Sequence, residues 1–385
     1  MKDSFKSTFL FFLFLNLGFN CPAQQKIISA AEQIPKYIHL LKDQNVGIVA
    51  NKASIVSRNS HLIDTLLNLG INIKKVFVPE HGFRGEADAG EKIFSQKDEK
   101  TGLTILSLYG NQIKPSNKQM KDISILVFDL QDVGVRFYTY ISTLHFIMEA
   151  CAEKNIPLIV LDRPNPNGHF IDGPVLEKDC KSFVGMHPVP IVYGMTIGEY
   201  AQMINGEGWL ANNIKCELRV IKVKNYTHQT HYELPLRPSP NLPNAQAIAL
   251  YPSLCLLEPT EISVGRGTEM QFQVLGHPNL PKSNFSFTPK PNFGAKYPKL
   301  ENQLCNGIDL RSHNLLNKIE LKWILNSFKN FPKTKSFFRA GFFKIAGTKK
   351  LKKQIEEGLS ENEIKRTWNE GLKNFKNTRL KYLLY

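Results

Sequence analysis

Glu80, His81 and Arg84 fall within five residues, directly after the apolar run Val76-Phe77-Val78 and between Pro79 and Gly85. A carboxylate, an imidazole and a guanidinium are not tolerated inside a buried strand, so they must stand just past its end, where open α/β sheets bind ligands. Other apolar runs end the same way. Asn51 and Lys52 follow Asn45 to Ala50. Asp129, Gln131, Asp132 and Arg136 follow Ser124 to Phe128, and Asp162, Arg163, Asn165 and Asn167 follow Pro157 to Leu161. One polar residue after a strand is a turn former; four such ends on one edge of a parallel sheet predict a site. Glu258, Glu261 and Glu269 enlarge the set of carboxylates. Cleavage of a glycosidic bond needs a proton donor at the leaving oxygen and usually a second carboxylate as base or nucleophile, which such a set supplies. Glu80, at an apolar strand end beside Phe83, is the preferred acid, with Glu258, Asp132 or Glu269 as its partner.

Other chemistries lack their parts. Gly265-Arg266-Gly267 is a lone G-x-G, and no G-x-G-x-x-G follows the first strand, so a dinucleotide has no phosphate cradle. No G-x-x-x-x-G-K-[ST], G-x-S-x-G or H-E-x-x-H occurs either. His228 and His231 have metal-like spacing but lie in a polar loop, where a solvated pair is expected. We therefore expect neither cofactor nor metal. The net charge of +15 suits an anionic partner or substrate, but the Lys and Arg are spread and form no nucleic-acid motif.

The elements that position these residues follow from periodicity. Strands are predicted at 45–50, 73–78, 104–108, 124–128 and 157–161, and another over 216–223, where residues alternate. Helices are predicted at 61–69, 138–154 and 197–204, the last with a Thr196/Glu199 capping box that makes Glu199 structural. Strands alternating with helices give an α/β domain built on a parallel sheet with right-handed crossovers. Pro235, Pro238, Pro240 and Pro243 mark a boundary, dividing the chain into an N-terminal domain over 24–240 and a smaller α+β domain over 245–385. The latter ends in helices over 349–357 and 360–368 and an apolar Tyr382–Tyr385 expected to dock on the core.

Lys2 and Lys6 precede the apolar run Phe9 to Leu15, and Cys21-Pro22-Ala23 offers a cleavage site before Gln24. Residues 1–23 read as a secretory signal, with a lipid anchor on Cys21 as the alternative. The apolar run is shorter than the ~20 residues of a spanning helix, so we expect no stable membrane span and a periplasmic or extracellular protein. The remaining cysteines, Cys151, Cys180, Cys216, Cys255 and Cys305, have neither disulfide-framework nor zinc spacing.

Four stretches carry a resemblance: Val78-Pro79-Glu80-His81-Gly82-Phe83-Arg84-Gly85; Asp129-Leu130-Gln131-Asp132-Val133-Gly134-Val135-Arg136-Phe137-Tyr138-Thr139-Tyr140; Asp162-Arg163-Pro164-Asn165-Pro166; and Ser263-Val264-Gly265-Arg266-Gly267-Thr268. In this order, over about Asn45 to Tyr385, the chain resembles the exo-β-N-acetylmuramidases called NamZ. The resemblance implies a nucleotide-free Rossmann-like domain, a smaller C-terminal domain and an active site between them. It also implies release of N-acetylmuramic acid from the non-reducing end of peptidoglycan-derived MurNAc-GlcNAc fragments, with Glu80 as the catalytic glutamate. Muramic acid carries a lactyl carboxylate, which Arg84, Arg136, Arg163 or Arg266 could clamp if not held in a structural ion pair. Tyr138, Tyr140 and Tyr193 could pack on sugar faces if they are not core residues. A non-catalytic binder of cell-wall muropeptides, and a peptidoglycan amidase or esterase, are the alternatives.

Overall fold

The computed structural model describes residues 25–57, 60–80 and 96–385; the expected signal over 1–23, His81 and Arg84 lie outside the described residues. The strands are β1 (Val46–Ala50), β2 (Ile55–Ser57), β3 (Ser60–His61), β4 (Ile73–Val78), β5 (Gln96–Lys97), β6 (Thr104–Ser107), β7 (Ile125–Asp129), β8 (Leu158–Leu161), β9 (Leu218–Ile221), β10 (Val274–His277), β11 (Ser286–Phe287) and β12 (Cys305–Asp309). The helices are α1 (Ile38–Leu41), α2 (Leu62–Asn68), α3 (Asn117–Met120), α4 (Tyr140–Lys154), α5 (Ile197–Gly206), α6 (Ala245–Leu254), α7 (Lys322–Asn330), α8 (Phe342–Ala346), α9 (Lys350–Glu356), α10 (Glu361–Arg366) and α11 (Asn369–Leu380).

The main sheet has the order β5-β6-β4-β1-β7-β8-β9. All pairs are parallel except the edge strand β5. Along the parallel strands the chain first runs outward from β1 to β4 and β6, then returns to β7, β8 and β9. This is the doubly wound order, whose direction reverses between β1 and β7. β1, β7 and β8 are buried at every residue because helices cover both faces. The strand period of two sorts their side chains. Ile48, Val76, Val78 and Val127 face the α2 side with Leu62, Ile63 and Leu66, whereas Val49, Phe77, Leu126 and Phe128 face α4 and α5.

The C-terminal unit holds the antiparallel sheet β10-β12-β11 and helices α6 to α11. Its apolar residues, among them Leu254, Ile262, Phe272 and Trp323, belong to the same cluster as the α4/α5 face, so one core runs through both units. The capping box expected at α5 is present, and α10 has one of its own between Ser360 and Glu363. α6 was not predicted: the proline-rich stretch hid its start at Asn244, whose Oδ1 accepts from Ala247 N at 2.9 Å, and Pro252 interrupts its pattern. The chain end docks as expected: Tyr382 and Leu383 pack against the core, and polar contacts add to this, Tyr385 Oη donating to Asp162 at 2.6 Å and Leu384 N to Glu199 at 2.7 Å. Cys151, Cys180, Cys216, Cys255 and Cys305 are buried free thiols. Among the described residues no helix is long and apolar enough to cross a membrane.

Candidate active site

Glu80 leaves the end of β4 into a cavity lined also by Phe137, Tyr138, Thr139, Tyr140, Ser239, Asn241, Leu242, Tyr251, Arg266 and Phe272. Three parts of the chain build it: the sheet edge, the loop entering α4, and the C-terminal unit. Tyr109, after β6, hydrogen-bonds Glu80; burial first, then the glutamate's charge, raises the tyrosine pKa. Tyr140 is held from β1, because Asn51 Nδ2 donates to its hydroxyl at 2.7 Å. Asn51 itself is fixed, its Oδ1 accepting from Ala53 N at 3.0 Å. Tyr138 packs on Tyr140 with ring centroids 4.7 Å apart, and its hydroxyl donates to Pro238 O at 2.7 Å, tying the stretch before α6 to the cavity wall.

From the far side comes Arg266, its guanidinium 5.1 Å from the Phe272 ring centroid and its Nε 2.8 Å from Glu258 Oε2. Glu258 thus reaches the cavity through Arg266. Its backbone is pinned by Lys299, whose ammonium donates to the carbonyls of Glu258, Thr260 and Ile262 at 2.9, 2.7 and 2.7 Å. Burial lowers the Lys299 pKa to about 8. Asn241, 1% exposed, gives its Nδ2 to Gly294 O at 2.6 Å, while its Oδ1 is buried with no partner among the described residues. A buried acceptor without a donor costs roughly 1–3 kcal/mol, so on a cavity wall it is poised for a ligand N–H or O–H.

Of the residues singled out from the sequence, the structure gathers Glu80, Tyr138, Tyr140 and Arg266 on this cavity, with Asn51 and Glu258 directly behind. Several others serve the scaffold. Asp129 and Arg163 form a buried bidentate pair at 2.6 and 2.9 Å, and Arg163 also donates to Ile55 O. Gln131 spans the carbonyls of Asp132 and Pro164. Asp162 accepts from the backbone of Arg163 and Gly198 and from Thr196 and Tyr385, yet burial, aided by the charge of Glu199, raises its pKa to about 7. Asn165 braces the following turn, accepting from Asn167 N and donating to Met195 O.

Arg136 corrects the expectation of a substrate clamp. It is fully buried, and its guanidinium donates to the carbonyls of Pro174, Val189, Ile345 and Ala346. Gly347, at φ 78°, lies against it so closely that no side chain fits there. Tyr193 is likewise buried and donates to Asp132 Oδ2, which also takes Gly134 N at 2.7 Å. Burial raises Asp132 to about 6, and its Oδ1 has no partner among the described residues. Glu269 is exposed after the Thr268 turn. His228 is not solvated as expected: it pairs with buried Glu199 at 2.8 Å, while His231 stays exposed. Among the described residues no group of three or more His, Cys, Asp or Glu is arranged to hold a metal.

Sequence reasoning missed Tyr109, Asn241, Tyr251 and Phe272. Asn241 stood between prolines and read as linker; only its bond to Gly294 O and its bare Oδ1 single it out. A larger groove of ≈ 1160 Å³ opens elsewhere, lined by Glu32, Ile55, Arg163, His231, Tyr232 and Glu233 among others. Its arginine is tied to Asp129 and its Glu32 to Ser29 N, and Glu80, Tyr138 and Tyr140 line the other cavity, which is therefore the better chemical centre.

Family models for the N-terminal and C-terminal parts of the exo-β-N-acetylmuramidase NamZ match residues 46–246 and 249–385. The peptidoglycan β-N-acetylmuramidase NamZ of Bacillus subtilis (strain 168) is 38% identical, over 91% of this chain and 89% of its own. A crystal structure of a DUF1343 family protein from Bacteroides fragilis NCTC 9343 superposes with a TM-score of 0.87 at 46% identity, covering 94% of this chain and 99% of that one. A second DUF1343 family protein from the same organism gives 0.79 at 27% identity, covering 93% and 99%.

Proposed function

The chain belongs to the exo-β-N-acetylmuramidase NamZ family, and from that premise we propose that it is a glycoside hydrolase acting on peptidoglycan fragments, with the Glu80 cavity as its catalytic centre. It removes N-acetylmuramic acid from the non-reducing end of MurNAc-GlcNAc fragments. The observation that carries the site is the meeting of Glu80 and Arg266, from two units of the chain, on one cavity walled by tyrosines.

Each part then has a task. Glu80 gives its proton to the glycosidic oxygen as the bond to the anomeric carbon breaks, and Tyr109 holds that carboxyl in place. Water adds to the anomeric carbon, and its proton passes to a second carboxylate. Glu258 is the favoured partner because it shares Arg266 with the cavity, whereas Asp132 is engaged by Tyr193 and Gly134. Arg266 attracts the lactyl carboxylate, Tyr138 and Tyr140 wall the sugar, and Asn241 Oδ1 accepts the acetamido N–H. Residues 1–23 act as the signal that delivers the enzyme to the periplasm, where such fragments arise.

Glu80→Gln tests the reading. It keeps size and hydrogen bonding but removes the acid, so the variant folds normally and turns over the MurNAc-GlcNAc disaccharide about 10²–10⁴-fold more slowly, followed by mass spectrometry. Wild-type protein that binds the disaccharide and leaves it intact is instead a binder, and loss of a peptide or lactyl group identifies an amidase or esterase.

A further inference from the structure

Residues 291–298 form a loop fixed to Asn241, which lines the Glu80 cavity, and to Gly267 and Thr268, which follow Arg266, and the loop carries two largely exposed aromatic side chains. Phe293 is 53% exposed and Tyr297 92% exposed. Isolated apolar residues on a surface are ordinary. This loop, however, is rigidly built and joined to the cavity wall at both ends. Asn292 and Ala295 exchange backbone hydrogen bonds at 3.1 Å, closing the turn that presents Phe293. Gly294, at φ 94°, packs so tightly on Pro240 that a Cβ would lie 2.6 Å from its ring, and it accepts from the cavity residue Asn241. Asn292 Nδ2 donates to Thr268 O at 3.1 Å, and Lys290 N to Gly267 O at 2.8 Å. Gly267, next to Arg266, meets Pro298 equally closely, and Lys299 then anchors the carbonyls around Glu258. A flexible, irrelevant loop would need none of these constraints.

We propose that Phe293 and Tyr297 form a platform for the sugar on the leaving side of the scissile bond, the N-acetylglucosamine that departs. The inference rests on the proposed muramidase function. An exo-acting enzyme takes the terminal sugar into its cavity, so the first group outside the mouth is the leaving sugar. The C–H face of a pyranose is apolar, and an exposed aromatic ring on a rigid loop is the surface that receives it at low entropic cost. These residues therefore select glycan leaving groups and do not take part in bond breaking.

Phe293→Ala, Tyr297→Ala and the double variant test this with two substrates, the MurNAc-GlcNAc disaccharide and N-acetyl-β-muramyl fluoride, whose leaving group is one atom. For the double variant kcat/KM on the disaccharide falls about tenfold or more, mainly through KM, while the fluoride is hydrolysed as by wild type. Equal loss on both substrates, or none on the disaccharide, overturns the proposal. Both side chains are exposed, so an unchanged Tm is expected and serves as the control. Calorimetric titration of the disaccharide into the Glu80→Gln protein, with and without the two alanines, gives an answer independent of turnover: a weaker Kd supports the platform and an equal Kd overturns it. Wild-type protein inactive on both substrates would refute the muramidase reading, and the titration would still decide the platform.

Discussion

Glu80 is the residue the sequence picked out most directly, and it is also the one around which the cavity closes. A carboxylate at the end of an apolar strand is conspicuous because burial would otherwise forbid it. Arginines were harder to sort, since a guanidinium for a ligand and one for the scaffold look alike in one dimension. Arg163 has Asp129 and Arg136 has its carbonyls, which leaves Arg266 as the arginine on the cavity among the described residues. Arg266→Ala is therefore expected to lower kcat/KM on a muramic acid glycoside by about 10–100-fold while sparing a glucosamine glycoside that lacks the lactyl group. Unchanged preference between the two sugars, measured side by side, would remove Arg266 from substrate recognition.

At the level of elements, α4 and α5 do more than cover the sheet. His145 on α4 meets His187 at 3.0 Å, and His187 in turn meets Tyr200 of α5 at 3.1 Å and stacks on Trp209. Burial holds the His145 pKa down to about 4 and His187 well below its ordinary value. The sign follows: the unfolded chain binds protons near pH 6.5 that the folded chain refuses, so stability is lost as pH falls below about 6.5 toward 4. At pH 5 His145 alone costs about 2 kcal/mol, and His187 adds to the loss in the same direction. Asp132 and Asp162, raised by burial to about 6 and about 7, act oppositely, contributing stability at low pH that is lost as pH rises through those values. Comparison with a His145→Gln/His187→Gln variant isolates the histidines: urea unfolding should show wild type losing more stability than the variant between pH 7 and pH 5. Parallel losses would mean that the pair does not titrate on unfolding.

Across the whole molecule, one apolar core and several polar ties make the two units a single body. Arg136 is the deepest tie, joining Pro174 and Val189 on one side to Ile345 and Ala346 on the other. Arg136→Leu leaves those carbonyls without donors and should cost about 3 kcal/mol or more, read as a drop in the urea midpoint. A loss under about 0.5 kcal/mol would show that the carbonyls find other donors. The sequence by itself determined the parallel, helix-covered sheet, because buried parallel strands must be continuous apolar runs and amphipathic helices must cover them, while the strand order came from the tertiary structure. It also determined which edge carries the chemistry, since polar groups cluster only where strands end. Tertiary structure alone decided which of those groups share a cavity. That outcome depends on the C-terminal unit bringing Arg266, Tyr251 and Phe272 against Glu80, and on contacts between residues as distant as Asn241 and Gly294. Local spacing fixes which residues leave a strand end together, but hydrogen-bond partners far along the chain fix whether each is spent on the scaffold or left for a ligand.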